Sequence, residues 1–323
     1  MKPLTRHLLL QAGLYLLAGL GLLILSFVLP RLLPGNFVTA RYAGADITLS
    51  PAQARELTSL YDRDQGFFTY LGRMCRLDWG HSLAFSAPVA DLLLEALPWT
   101  LLLMGSAHLL ATGFGFVAGV EAAWRRGGLL EKVGLSSMTV LEGIPEIGSG
   151  VLLLLFFALK LGWFPAAGAQ TPYAHQSGLL WLLDVCRHLV LPLSTLILAY
   201  FPGNFLLARG SMVLVLKAPF VQTARGKGLP PRRVRYRHAA RNALLPIITR
   251  FGLRLAFMIT GALVVETIFS YPGLGTLLFK AIGMRDLPLI QGIVLSSSLL
   301  VLAVNLGLEF VYVRLDPGVR HVP

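Results

Sequence analysis

From Leu8 to Leu29 the chain runs for 22 residues without a charged side chain. An α-helix needs about 20 mostly apolar residues to cross a bilayer, and a backbone in lipid has no water to bond, so such a run has to be helical. Lys2 and Arg6 ahead of it resemble a signal-peptide n-region. The run, however, exceeds the roughly 7–15 apolar residues of a cleaved signal, and no clear A-x-A site follows, so it reads as an uncleaved first span, 8–29. Five more apolar stretches follow, at 97–121, 133–160, 188–208, 251–270 and 289–313. The expectation is an all-α polytopic membrane protein with six transmembrane helices and both termini on one side. With 55% hydrophobic and 14% charged residues, the composition excludes a disordered chain, a collagen and an ordinary soluble enzyme. Two cysteines, Cys75 and Cys186, leave no disulfide framework and no zinc cluster, and at most one bridge in an oxidising periplasm.

The formal charge of +12 is concentrated. On a soluble protein that balance suggests nucleic acid; here the cations sit between spans, and no nucleic acid is expected. Arg125, Arg126 and Lys132 follow the second span, and segment 208–250 carries ten Lys and Arg with no acid at all. By the positive-inside rule these loops and both termini face the cytoplasm. The chain then divides into a cytoplasmic N-terminus 1–7, the first span 8–29, a periplasmic insertion 30–96, a five-helix core 97–313 and a cytoplasmic tail 314–323. The insertion is structured: in Ser50-Pro51-Ala52-Gln53, Ser50 suits an N-cap, Pro51 the first helical position and Gln53 the return bond of a capping box. A short surface helix or two follow.

Segment 208–250 allows three readings: a solvated loop, a lipid-headgroup patch, or a docking element. Its punctuation favours docking. Pro219 opens a short helix with Phe220 and Val221 on its edge; Gly226 and Gly228 follow; Pro230-Pro231 ends it. A second helical stretch, Arg232 to Leu245, runs to Pro246.

Gln222-Thr223-Ala224-Arg225-Gly226-Lys227-Gly228-Leu229, followed by Arg237-His238-Ala239-Ala240-Arg241-Asn242-Ala243-Leu244-Leu245-Pro246, resembles the EAA loop of ABC importer permeases. The dipeptide/oligopeptide/nickel branch reads T-A-R-A-K-G-L and R-H-A-L-R-N-A-L-I-P there. The resemblance spans nearly the whole chain. Leu77-Asp78-Trp79-Gly80-His81-Ser82 is similar to the family's G-D-x-G-x-S, Leu97-Pro98-Trp99-Thr100-Leu101 to L-P-A-T-L, and Leu161 to Gly168 to L-G-W-x-P-x-x-G. Glu266 to Gly275 matches E-x-x-F-x-x-P-G-L-G, and Arg285-Asp286, Asn305 and Asp316-Pro317 follow in order. The chain departs from the pattern at Gln222, where the family has glutamate, at Pro219-Phe220, where Asp-Tyr is usual, and at Glu309, where Asp is usual.

The resemblance implies a type I ABC importer-like permease in the bacterial inner membrane. It implies import of peptides or a related small solute, such as a nickel complex, by alternating access. The implied partners are cytoplasmic ABC ATPase subunits, a second homologous permease and a periplasmic solute-binding protein. The loop residues Phe220, Gln222, Thr223, Ala224, Arg225, Gly226, Lys227, Gly228, Leu229, Arg241, Asn242 and Pro246 are then the ATPase-coupling surface. No G-x-x-x-x-G-K-[ST] occurs, so ATP and Mg²⁺ belong to the partner ATPase and no cofactor is expected on this chain.

Ionisable residues inside spans mark functional candidates. Glu142 and Glu146 flank Pro145 in the third span and would share one face of a continuous helix. With Pro145 and Glu266 they form a candidate translocation path, the acid pair suiting a cationic solute or a peptide's amino terminus. The other reading of the pair is interfacial, neutralised by protonation or by an Arg of the partner permease. Glu266, in a family-wide pattern, reads as structural or gating. Arg254 is expected to snorkel, and His108 to be neutral and hydrogen-bonded. No HExxH or His/Cys cluster exists, so no metal site is expected. Three alternatives remain: a polyamine-like or cationic-peptide exporter of the same family, an intramembrane enzyme built on Glu142, Glu146 and His108, and a lipid-binding scaffold.

Overall fold

The apolar runs fold as helices that continue past the runs themselves, because hydropathy limits the stretch in lipid while backbone hydrogen bonding limits the helix. The computed structural model describes residues 3–32, 37–43, 50, 52–53, 55–57, 66–174, 177–256 and 258–315. Helices α1 (Pro3–Arg31), α2 (Phe37–Ala43) and α3 (Phe67–Cys75) precede α4 (Val89–Trp124), which starts well before the predicted 97. Then come α5 (Leu129–Glu142) and α6 (Glu146–Lys160), which turns π-helical over Leu154–Lys160. The next helix, α7 (Gly178–Val215), contains Pro192 and Pro202 and begins before the predicted 188. The basic segment follows as α8 (Pro219–Gly226) and α9, a helical run of Pro231–Arg233, π-helical Val234–Ala240 and Arg241–Ala243. The last four are α10 (Leu245–Ala256), α11 (Met258–Ile268), α12 (Leu274–Gly283) and α13 (Leu287–Leu315). Among the described residues there is no strand beyond an isolated bridge between His81 and Pro88.

Four of these helices are long and apolar enough to cross a bilayer: Gly13–Arg31, Val89–Trp124, Gly178–Val215 and Leu287–Gly307. The predicted third span is not one helix. Leu129–Glu142 and Glu146–Lys160 meet at 93°, and as one broken span they bring the number to five. Pro145 stands at the N-cap of α6 with extended backbone, and the turn before it ends at Gly143. A proline lacks the N–H and clashes with the preceding turn, so the helix restarts instead of kinking. Over the predicted fifth span the described residues on either side of residue 257 are helical, as α10 and α11.

Two compact units emerge, Met1–Pro98 with Gly273–Gly307 and Trp99–Pro272 with Leu308–Pro323. In the first, α3 packs on α1: the Ser26 and Tyr70 hydroxyls bond at 2.9 Å, and the Phe27 ring lies 5.3 Å from those of both Phe67 and Tyr70. The expected capping box is present, with the Ser50 N–H donating to Gln53 Oε1 (3.1 Å) and the Gln53 N–H to Ser50 Oγ (3.3 Å). Pro51 and Asp316-Pro317 lie outside the described residues.

Segments that resemble the family's patterns meet one another in pairs. In the first unit Ser82 Oγ donates to Asp286 Oδ2 (2.5 Å) across 204 residues, joined by the Ala84 N–H (2.9 Å). Asp286 also accepts the Leu289 N–H at 3.2 Å, so it caps α13 from within. In the second unit Thr100 Oγ1 donates to Glu266 Oε1 (2.6 Å), and the Gly168 N–H to the Phe269 carbonyl (2.9 Å). Cys75 and Cys186 are both exposed free thiols.

Candidate functional site

The basic segment folds as a packed corner. On α8 the buried positions are Val221 and Ala224, three apart and therefore on one face. They join Val120 and Ala123 of α4, Met212 of α7, and Val234, Ala239, Ala240 and Ala243 of α9 in one buried cluster. The other side of α8 is exposed: Phe220 (43%), Gln222, Thr223, Arg225 and Gly226, continuing through Lys227 and Gly228, with Leu229 half-buried. Pro219 opens the helix as expected. The end differs from the expectation. The helix stops at Gly226, and Gly228 turns the chain at φ +70°, a conformation that costs glycine little. Pro230 and Pro231 start α9 instead of ending α8, one as N-cap and one as first residue. Pro246 likewise lies in the first turn of α10, where its missing N–H costs nothing, and not at the end of α9.

Electrostatics fasten this corner to the helices. Arg235 Nη1 and the Tyr236 hydroxyl (2.6 Å) both donate to Glu121 Oε1 at the end of α4. Burial and that bond to Glu121 push the Tyr236 phenol above its ordinary pKa, so it stays a neutral donor at physiological pH. The guanidinium groups of Arg225 and Arg235 lie 5.2 Å and 4.8 Å from the Trp124 ring centre. Arg209 of α7 donates to Glu131 of α5, which also accepts the Gly127 N–H at 2.6 Å. Arg241 and Asn242 are exposed, and Asn242 Nδ2 bonds only locally, to the His238 carbonyl (2.9 Å).

Two glycines that the reading of the sequence passed over lock α4 to α7. A Cβ on Gly119 would lie 2.6 Å from the Phe205 carbonyl oxygen and 2.7 Å from Ala208 Cβ, and one on Gly115 would lie 2.8 Å from Asn204 Cβ. The signal was available as the G-x-x-x-G of Gly115 and Gly119, the spacing that lets membrane helices approach backbone to backbone.

The helix break gathers the second set of predicted residues. Residues 142–145 are exposed, and Glu146 is half-buried on the first turn of α6. Because α5 and α6 diverge by 93°, Glu142 and Glu146 do not share the face of one continuous helix. Cations of this same chain stand near them. Arg250 Nη2 lies 3.9 Å from Glu142 Oε1, while its Nη1 donates to the Gly203 carbonyl at 3.0 Å. Arg254 lies within electrostatic reach of Glu142, Glu146 and Arg250, with its guanidinium 4.8 Å from the Tyr200 ring centre. Tyr200 stacks in parallel on His108 at 4.7 Å. His108 is buried, but the expected hydrogen bond is missing: neither ring nitrogen has a partner among the described residues. Glu266 is placed apart, wholly buried against Thr100. Among the residues searched, no group of three or more His, Cys, Asp or Glu could hold a metal ion.

Apolar helices long enough to cross a bilayer, with one further pair meeting at 93°, mark this chain as membrane-embedded. Its fold is that of a chain of the MetNI methionine ABC transporter in an inward-facing conformation, with a TM-score of 0.54 at 14% identity over 70% of this chain and 97% of that one. Residues 111–321 match the model of the binding-protein-dependent transport system inner membrane component, and the chain belongs to that family. It is a multi-pass inner-membrane subunit of a transport system. Its relatives include the di/tripeptide transport system permease protein DppB of Pseudomonas aeruginosa, 34% identical over 96% of this chain and 97% of that one. The oligopeptide transport system permease protein AppB of Bacillus subtilis is 33% identical over 94% and 95%. A putative peptide transport system permease protein of Brucella abortus is 35% identical over 92% and 93%. The enzyme and scaffold alternatives find no support in these matches.

Proposed function

We propose that this chain is the solute-conducting subunit of an ATP-driven importer of peptides, with ATP and Mg²⁺ held by separate cytoplasmic ATPase subunits. A second, related permease completes the membrane part and an external binding protein delivers the solute. The names of the relatives support the peptide class. The carrying observation is α8, a helix pinned on one face by Val221 and Ala224 while Phe220, Gln222, Thr223, Arg225 and Lys227 stand exposed. A docking partner pushing on that face moves a packed core, not a tether. The Arg235–Tyr236–Glu121 bonds carry the push to α4, and the Gly115/Gly119 contact carries it to α7. Close packing resists deformation, so the helices shift as bodies between two states biased by ATP. We take the basic loops as cytoplasmic and count six spans, joining α5 with α6 and α10 with α11.

The polar cluster at the break lies on the translocation path in this reading. Broken spans expose backbone and helix ends where solutes cross, and ionisable groups there are costly unless used. Glu266, buried and bonded, acts as a structural tie. Affinity purification of the tagged chain from native membranes tests the docking role. Recovery of a Walker-type ATPase and a second permease is expected, with at least tenfold less ATPase after Phe220→Ala with Arg225→Ala. Unchanged recovery would move the docking site elsewhere.

A further inference from the structure

Four of the eight arginines of the basic corner are engaged, Arg209 with Glu131, Arg235 with Glu121, Arg250 with Gly203 and Glu142, and Arg225 over Trp124, while Arg232 and Arg233 are exposed outside the cavity lined by the remaining two. These are Arg237 and Arg241. Both are exposed, neither makes an ion pair or side-chain hydrogen bond with a described residue, and both line one cavity of about 290 Å³. Its other walls are Phe116, Tyr236, Ala240 and Leu244. The cavity wall is apolar almost throughout, and two exposed arginines contribute to it. Phe116 lies eight residues, about 12 Å, inside the Trp124 end of α4. Beside it, Phe114 (60%) and Val117 (48%) are exposed on the same helix. A soluble partner would meet that greasy surface at a desolvation cost, whereas acyl chains match it.

We propose that this cavity binds one anionic phospholipid, its phosphodiester between Arg237 and Arg241 and the start of its acyl chains on Phe116 and Leu244. Guanidinium groups favour phosphate through paired N–H donors, and basic side chains at the leaflet surface attract anionic lipid. The site is distinct from the exposed face of α8 and does not require the ATPase reading. A bound lipid would brace the π-helical stretch Val234–Ala240 against α4 and leave the exposed face of α8 uncovered.

Native mass spectrometry of the full chain in mild detergent tests this, with phosphatidylglycerol and phosphatidylcholine of identical acyl chains as probes. Phosphatidylglycerol is expected to be retained at least tenfold over phosphatidylcholine. Arg237→Gln with Arg241→Gln should lower its retention about tenfold, while Arg232→Gln with Arg233→Gln, which removes the same charge outside the cavity, changes it less than twofold. An unchanged elution profile and melting temperature show that the variants are folded, as expected for exposed side chains without partners. Equal retention of the two lipids, or equal losses in the two double variants, overturns the proposal. So does full displacement of the lipid by millimolar inorganic phosphate, which marks a free-anion site. Loss of the ATPase with lipid retention intact assigns the pair to the protein partner and likewise overturns it.

Discussion

Glu266 and Asp286 are wholly buried, and each accepts a short hydrogen bond from a hydroxyl far away in the sequence, Thr100 and Ser82 respectively. Glu142 and Glu146 are placed in the opposite way. The first is exposed at a helix break with its nearest cation at 3.9 Å, and the second is half-buried near Arg254. All four are carboxylates that lie within or beside apolar helices. The difference teaches where each can act. A buried carboxylate that satisfies specific donors is costly to disturb and has little freedom to bind anything else. A loosely paired one can exchange its partner at small cost.

Breaking this contrast should start with Asp286. Asp286→Ala strands the Ser82 hydroxyl and the N–H groups of Ala84 and Leu289. The expected loss is about 3 kcal/mol of stability, read by denaturant unfolding of the full chain in detergent. Glu266→Ala should cost about 2 kcal/mol by the same reasoning. A loss below 0.5 kcal/mol (about the size of a surface substitution) would remove Asp286 and Glu266 from the structural class.

The break should behave differently. Glu142→Gln with Glu146→Gln is expected to change stability by less than about 1 kcal/mol, the scale of exposed ion pairs. In the reconstituted transporter the same variant should slow uptake of cationic peptides several-fold more than that of neutral ones. Arg250 and Arg254 beside the acids sharpen the test, since Arg250→Gln with Arg254→Gln should shift the preference the opposite way. Equal losses for cationic and neutral peptides in both variants would leave the cluster no part in selection.

The smallest expected effect concerns Asp78. Two bonds from Arg73 (2.9 and 3.2 Å) and the Gly80 N–H (3.0 Å) hold its carboxyl below the usual carboxylate range, the Arg73 bonds contributing most. Because the folded value is the lower one, the contribution is complete above about pH 4 and is lost as pH falls through the folded value. The stability gap between the parent and Asp78→Asn should therefore be flat from pH 7 to 5 and close below pH 4. A gap that widens on acidification would reverse the sign.

Features governed by neighbours along the chain were legible beforehand. The Ser50/Gln53 box follows from residues three apart, the start of α8 from Pro219, and the spans from charge-free runs. The segments resembling family patterns could also be found and ordered. What each was for could not: no local rule indicates that Ser82 belongs to Asp286 or Gly168 to Phe269. The G-x-x-x-G of Gly115 and Gly119 was visible as a spacing, but only Phe205 and Ala208 show what it admits.

The sequence by itself determined that this chain spans a membrane, which loops are basic, and that Pro145 stands where a helix can be interrupted. Those outcomes rest on solvation and on backbone bonding within a few residues. The tertiary structure alone decided the 93° angle at that interruption. It also decided that Arg250 and Arg254 stand beside the acids, and that Arg235 is engaged while Arg237 and Arg241 are free. Each of these depends on which distant side chains fill the space beside it, and that is set by packing the whole unit at once.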